Sequence, residues 1–237
     1  MDEYQAVHYS VLQDEVVEYL GPAFSAVSGE PVLVDGTLGE GGHSELFLQR
    51  FPEIRVIGLD RDSEIIGRAR QRLAPFTGRF SVVRTWFDDF FADWERNPEF
   101  SRPAAVLFDF GISIFHYEVS GRGFSFGKDE PLDMRLDRDS FLTAEYIVNT
   151  YERDMLADII YAYGEERYSR RIAAAICRER SEQAITSSAQ LAAVIAGSVP
   201  KEYRYGRIHP ATRTFQALRI AVNSELDRID RGLERAV

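Results

Sequence analysis

Carboxylates and glycines alternate in one short stretch, PVLVDGTLGEGGHS at residues 31–44. The apolar run Pro31–Val34 ends at Asp35, and Gly36, Gly39, Gly41 and Gly42 follow before a helix-like segment opens at His43 and Ser44. Glycines at such a corner admit positive φ and let a ligand come close to the main chain. A second apolar run, Arg55–Leu59, ends in Asp60. That carboxylate follows the glycine turn by about twenty residues, the separation at which a βαβ unit brings an acidic side chain to a ribose diol. The pairing predicts a nucleoside cofactor.

The turn also says which cofactor. A dinucleotide fingerprint reads G-x-G-x-x-G, and Gly36, Gly39, Gly41 and Gly42 do not keep that spacing. Asp35 and Glu40 would repel a pyrophosphate and suit a cation. S-adenosylmethionine carries a sulfonium, an ammonium and a ribose and no phosphate, so charge complementarity favours it over NAD. A βα corner without a ligand is the plain alternative, because a lone glycine turn is weak evidence.

The elements that must position these residues can be read from periodicity. Strand signals lie at 31–35, 55–60, 80–84 and 104–109, with helix patterns at 43–51, 63–73 and 88–95 between and after them. Such alternation predicts a parallel sheet with helices on both faces. Gly111 to Asp139 reads as a polar loop. From Phe141 the apolar spacing is helical, over 151–163, 165–180 and 187–198, with a connector at 200–206. One long helix is expected from Pro210, with Phe215, Leu218, Val222, Leu226 and Ile229 on a continuous face that returns to the sheet. With four strands and a last residue at Val237, the sheet is expected to be small or to belong to a longer protein.

Bulk properties narrow the classes further. The 237 residues are 45% hydrophobic, and no apolar run approaches a membrane span. The acidic start MDEYQAVHYS lacks the apolar core of a signal peptide. A single cysteine, Cys177, excludes an internal disulfide and a multi-cysteine metal site; it is expected to be a buried thiol in a cytoplasmic protein with no membrane contact. The net charge of −10 is unevenly spread: residues 1–119 hold 10 basic and 20 acidic residues, and residues 120–237 hold 18 of each. Only Lys128 and Lys201 are lysines, so the neutral half is arginine-rich and compatible with a polyanion.

Seven runs, taken in order, resemble one family. They are VHYSVLQDEVVEYL (7–20), DGTLGEGGHS (35–44), GLDRD (58–62), GRGFSF (121–126), PLDMRLD (131–137), YGEERYSRRIAAAI (163–176) and IHPATRTFQALRIAVNSEL (208–226). Together they resemble the bacterial 16S ribosomal RNA cytosine-N4 methyltransferases. The resemblance implies an α/β fold, a Rossmann-like class I methyltransferase sheet with an inserted helical subdomain. The expected boundaries are 1–112 and 207–237 for the cofactor-binding domain and 113–206 for the insert. It implies methyl transfer from S-adenosylmethionine to the N4 amine of a cytidine in the decoding region, with small-subunit ribosomal RNA or an assembling 30S subunit as partner. It also implies residues: Gly41, Gly42 and His43 for the amino-acid end of the cofactor, Asp60 for the ribose, Phe87 against the adenine, and Asp109 near the reacting centre. His116 falls where the family usually has a glutamine that touches the cofactor. The run DFGISIFHYE (109–118) departs from the family's Asp-Leu-Gly-Val-Ser-Ser-Pro-Gln beyond Asp109, Gly111 and Ser113. Later family segments, Gly-Gly-Arg-Leu and Ser-Phe-His, do not occur. The free edge of the fourth strand is therefore expected to be covered by another segment or by a second copy in a homodimer, and activity is expected to be weak in this form.

Methylating an aromatic amine needs an in-line approach and an acceptor for the amine proton. Asp109 and Asp133 are the candidate catalytic carboxylates; for Asp133 a salt bridge to Arg135 or Arg122 is the alternative. No metal is expected, because His43 has no accompanying His/Cys cluster. Arg207, Arg213 and Arg219 are candidate phosphate contacts or a salt-bridged helix face. His209 is expected to fix a helix entry, and Tyr117, Phe124 or Phe126 could stack on a flipped base or be packed. An NAD enzyme and a non-catalytic RNA- or ribosome-binding module are the competing readings.

Overall fold

A computed structural model describes residues 11–94 and 102–236. The expectations for the first ten residues, the start of the run at 7–20, the last residue of the 88–95 helix and Val237 lie outside the described residues. The chain divides into two compact units, one taking in the chain up to Ser113 and from Arg228 on, the other Ile114–Asp227.

The first unit is built on four parallel strands, β1 (Val32–Asp35), β2 (Arg55–Asp60), β3 (Phe80–Arg84) and β4 (Ala105–Leu107), in the order β3-β2-β1-β4. In register, Leu33 lies opposite Val56 on one side and Ala105 on the other. Every residue of β1 is buried, which is why its sequence is an unbroken apolar run closed by one acid. Successive side chains then face opposite layers. Leu33 and Val56 pack with Phe24 of α1 (Gln13–Ser25), Phe47 and Leu48 of α2 (Gly42–Arg50), and Ala69 and Leu73 of α3 (Ser63–Leu73). Val34, Ile57 and Leu59 pack with Phe87, Phe90 and Phe91 of α4 (Phe87–Asp93) and with Ile229 of α12 (Glu225–Ala236). Each large apolar side chain removed from water in these layers stabilises the unit by about 1.5–3 kcal/mol. The order is that of a Rossmann-like sheet, in which the direction of winding reverses between β1 and β4. Ligands bind outside the carboxyl ends of the strands at such a point.

The second unit is helical: α5 (Ile114–Glu118), α6 (Ala144–Thr150), α7 (Arg153–Gly164), α8 (Ser169–Glu182), α9 (Ser188–Ser198), α10 (Lys201–Arg204) and α11 (Thr212–Asn223). Its starts are set by side chains: Thr143 accepts the Tyr146 N–H, and Ser187 accepts the Gln190 N–H. Leu156, Ile160, Ile172, Ile176, Leu191, Ile195 and Leu218 are fully buried, and α7 packs on both α8 and α11.

Four expectations are corrected. The long helix from Pro210 is two helices, broken at Ser224, which takes a left-handed conformation with φ 51°. The buried Asn223 amide ties the end of α11 to the Leu136 N–H and the Met134 carbonyl, which fixes the break. Phe215, Leu218 and Val222 consequently belong to the helical unit and only Ile229 packs under the sheet, so residues 207–227 lie with the insert rather than with the sheet domain. The loop after β4 contains α5, and Cys177 is half-buried rather than buried.

Candidate active site

Three strand ends meet at the carboxyl edge of the sheet. The glycine turn leaves β1 with Gly39 and Gly41 at φ 52° and 81°, conformations that a side chain resists. Its amides are spent on neighbouring strands: Gly36 donates to the Leu107 carbonyl at 2.9 Å and Leu38 to the Leu59 carbonyl at 2.9 Å. Gly36 and Gly58 also admit Phe108 and Leu38 where a Cβ would collide, so β4 and β2 press directly on the turn.

Asp60 ends β2. One carboxylate oxygen accepts the Gly39 N–H at 3.0 Å and the other the Asp62 N–H at 2.9 Å. Burial pushes this carboxyl up to about 7, against the backbone hydrogen bonds that pull it down. Each oxygen retains a lone pair, the arrangement a vicinal diol requires.

Asp109 follows β4, with its N–H bound to the Thr37 hydroxyl at 2.7 Å and its side chain 42% exposed. His43, in the first turn of α2, is 7% exposed. Its Nε2 lies 2.9 Å from the Val11 carbonyl and its Nδ1 3.9 Å from Asp109 Oδ2. A carbonyl only accepts, so Nε2 carries a proton and the other ring nitrogen faces the carboxylate.

The turn's own carboxylates do something else. Asp35 is buried, receives the Ser44 hydroxyl at 2.6 Å and ties the turn to α2; burial raises its carboxyl despite that bond. Glu40 pairs with Arg68 at 3.4 Å. The negative face that would answer a cationic cofactor is thus formed by Asp60 and Asp109, not by Asp35 and Glu40.

Gly41, Gly42, His43, Asp60 and Asp109 are therefore brought together. Phe87 begins α4 just after β3, 9% exposed, with Phe108 and Phe110 at 5.3 and 5.7 Å and Gly232 of α12 seated on its ring. His116 lies in the other unit, on α5, buried between Phe115 and Phe124. Asp133 also lies in the helical unit and is bound bidentately by Arg135 at 2.7 and 2.8 Å. Burial would raise its carboxyl, but the Arg135 hydrogen bonds outweigh it and hold the group below the usual range. Asp133 is a salt-bridge residue that shapes its loop. Arg219 is likewise committed, to Glu225 at 2.8 Å. His209 stacks on Phe126 at 4.3 Å and accepts the Ala211 N–H, which sets the entry to α11; Phe124 and Phe126 are packed, and Tyr117 keeps an exposed ring.

Sequence reasoning missed the support beneath Phe87. Asp88 is fully buried and receives Arg228 at 2.8 Å and Arg231 at 2.7 Å, while Arg235 donates to its carbonyl at 2.9 Å. The signal was present as arginines at 228, 231 and 235, one face of a helix.

A Rossmann-like sheet with a glycine turn, a carboxylate tied to that turn and a second, exposed carboxylate at its switch point defines a nucleoside-cofactor enzyme of the methyltransferase class. The model of the MraW methylase family matches residues 5–237, and the chain belongs to that family. Relatives named ribosomal RNA small subunit methyltransferase H are 52% identical in Treponema denticola, 44% in Sulfurihydrogenibium azorense and 46% in Mycolicibacterium smegmatis. Those matches cover 98%, 97% and 97% of this chain and 72%, 76% and 62% of the respective relatives.

Proposed function

We propose that this chain binds S-adenosylmethionine at the carboxyl edge of its sheet and methylates the N4 amine of a cytidine in small-subunit ribosomal RNA. The observation that carries the reading is the convergence of Asp60, the glycine turn, His43 and Asp109 at the switch point, in a chain of this family. The donor set fits the cofactor: a half-buried carboxylate for a diol, the Asp109 carboxylate for an ammonium, and no arginine or lysine in the turn to answer a pyrophosphate. Gly41, Gly42 and His43 would hold the amino-acid end, Asp60 the ribose, and Phe87 the adenine. His116 is a cofactor contact on the resemblance alone.

When bound, the cofactor supplies an electrophilic methyl group and a neutral thioether leaving group. The protein's own part is positional and electrostatic. Asp109 is the group we assign to orient the cytidine amine and to accept its proton, because its carboxylate is exposed at the edge while its backbone is fixed by Thr37. His43, held by the Val11 carbonyl, stands beside it.

We place the activity in the cytoplasm, on free RNA or an assembling 30S subunit. Among the described residues no helix is long and apolar enough to cross a membrane, and no cluster of metal-binding side chains occurs. A second copy would meet the outer edge of β4, which pairs with no other described strand, and sedimentation would detect it. The deciding experiment is methyl transfer from labelled S-adenosylmethionine to undermethylated small subunits, followed by mapping of the modified base. Modification of a base other than cytidine, or none, would overturn the assignment. Titration with S-adenosylmethionine and with NAD separates the cofactor question from turnover.

A further inference from the structure

The motif YGEERY at 163–168 takes no part in the chemistry described above, yet it builds an unusual knot in the helical unit. Glu165 ends α7 in the left-handed region, φ 50°, and Glu166 turns inward until it is fully buried. Among the described residues no cation forms an ion pair with Glu166. One of its oxygens accepts the Tyr168 N–H at 2.8 Å and the other accepts the Tyr203 hydroxyl, a neutral donor that burial and Glu166 itself keep protonated to about 12. Tyr168 and Tyr203 stand edge to face at 4.9 Å. The guanidinium of Arg167 lies over both rings, 4.8 and 5.0 Å from their centres. Gly164 lets α7 close on the Arg213 carbonyl, where a Cβ would collide, and Arg213 donates back to the Glu165 carbonyl at 2.6 Å.

Arg167 is exposed, and among the described residues it makes no ion pair. A guanidinium stacked on two aromatic faces has lost its rotamer freedom but keeps all of its edge N–H donors, a fork pre-formed for a bidentate anion. Arg213 brings a second guanidinium to the same tyrosine. Tyr205, 80% exposed, follows Tyr203 by two residues at the end of α10 and offers an open ring. Exposed Glu165 and Glu202 lie close along the chain, so the surface is not a general basic field. Its ligand must present one well-placed anionic group and a flat face together, which is the description of a nucleotide in a single strand.

We propose that Arg167, stacked on Tyr168 and Tyr203, is a backbone-phosphate contact of the RNA substrate, with Arg213 beside it and Tyr205 as a stacking surface for a neighbouring base. The proposal rests on the reading that RNA is the substrate. It assigns to the helical unit a role in holding the strand, separate from the chemistry at the sheet edge.

The test is filter binding of a single-stranded RNA oligonucleotide to the whole chain across a salt series, with Arg167→Ala, Arg167→Lys and Tyr205→Ala. Arg167→Ala should weaken binding roughly 3–10-fold at about 0.1 M salt and lower the log–log salt slope by about 0.7, the value of one single-strand phosphate contact. Arg167→Lys should keep the slope but not the full affinity, and Tyr205→Ala should weaken binding with the slope unchanged. S-adenosylmethionine affinity should be the same in all four proteins. Equal RNA binding and slope in Arg167→Ala overturns the platform, as does a parallel loss of cofactor affinity, which would mark a structural defect. Tighter binding of an acidic peptide than of RNA would reassign the surface to a protein partner. If the unaltered chain binds no RNA at low salt, the platform is overturned, while methyl transfer to undermethylated small subunits tests the substrate reading on its own.

Discussion

The Gly39 amide donates to the Asp60 carboxylate at 3.0 Å, joining the glycine turn after β1 to the acid that ends β2. The two features from which a nucleoside cofactor was inferred are thus one hydrogen-bonded unit. Any change at Asp60 acts on both the ribose contact and the turn.

Asp60→Asn removes the charge and keeps one of the two accepting oxygens, setting an NH2 against the other backbone N–H, so it weakens the ligand contact and one tie of the turn together. We expect S-adenosylmethionine affinity to fall by about 2–3 kcal/mol, tens of fold to somewhat over a hundredfold, without loss of fold. Isothermal titration measures it, and an unchanged affinity would remove Asp60 from the ribose site.

The raised carboxyl of Asp60 makes a prediction about pH. Its folded value, about 7, lies above the ordinary 3.8, so the stability it contributes is complete below about pH 4 and is lost as pH rises through 7. The ligand-free chain should therefore lose stability between pH 5 and pH 7.5, while cofactor affinity rises as the carboxylate ionises. Both slopes should flatten in Asp60→Asn; denaturant melts and titrations over that range would find them unaltered if the carboxyl were ordinary.

Asp109 and Asp133 should part company. Asp109→Asn should fold normally and lower kcat by about 10²–10⁴, the usual contribution of a positioned proton acceptor. Asp133→Ala should instead cost stability, because it strips Arg135 of both carboxylate contacts. A kcat loss confined to Asp133→Ala would reverse the assignment.

The Asp88 clamp predicts a coupling between α12 and the adenine side of the site. Removing the carboxylate takes the Asp88 contact from two arginines and, with those arginines partly exposed, should cost about 2–3 kcal/mol. Gly232→Ala should displace Phe87, at about 1–3 kcal/mol, and weaken cofactor binding. A double-mutant cycle with Phe87→Leu should be non-additive; additive losses would mean that Phe87 does not carry the effect.

What could be read from residues alone followed a physical rule. All four strands were legible to within a residue or two at each end because each is a short apolar-rich run; β1 and β2 are closed by an acid, while β3 is half-buried and ends in Arg84. Asp60 and Asp109 were legible because strand ends fix where they must lie. The partners of charges were not. Asp35 and Glu40 look alike in sequence, yet one is buried against Ser44 and the other pairs with Arg68. Nothing local distinguishes a broken helix at Ser224 from a continuous one, since Asn223 is held by residues some ninety positions earlier. Arg167 carried no signal at all, because a stacked arginine and a solvated one have the same neighbours in the chain.

The clamp between Asp88 and Arg228 spans 140 residues, and nearly all of that span is the helical unit. During synthesis, Asp88 leaves the ribosome without Arg228 and Arg231 and with the α4 face of the sheet only partly covered, and at roughly 5–20 residues per second it waits on the order of ten seconds for α12. The contiguous helical unit can meanwhile complete its own core. Birth order is therefore reversed in folding order: the half made first is finished last, and S-adenosylmethionine cannot be held firmly until the other half exists. Ribosome-stalled chains of increasing length should gain protease protection over 114–227 before they gain it over the strands.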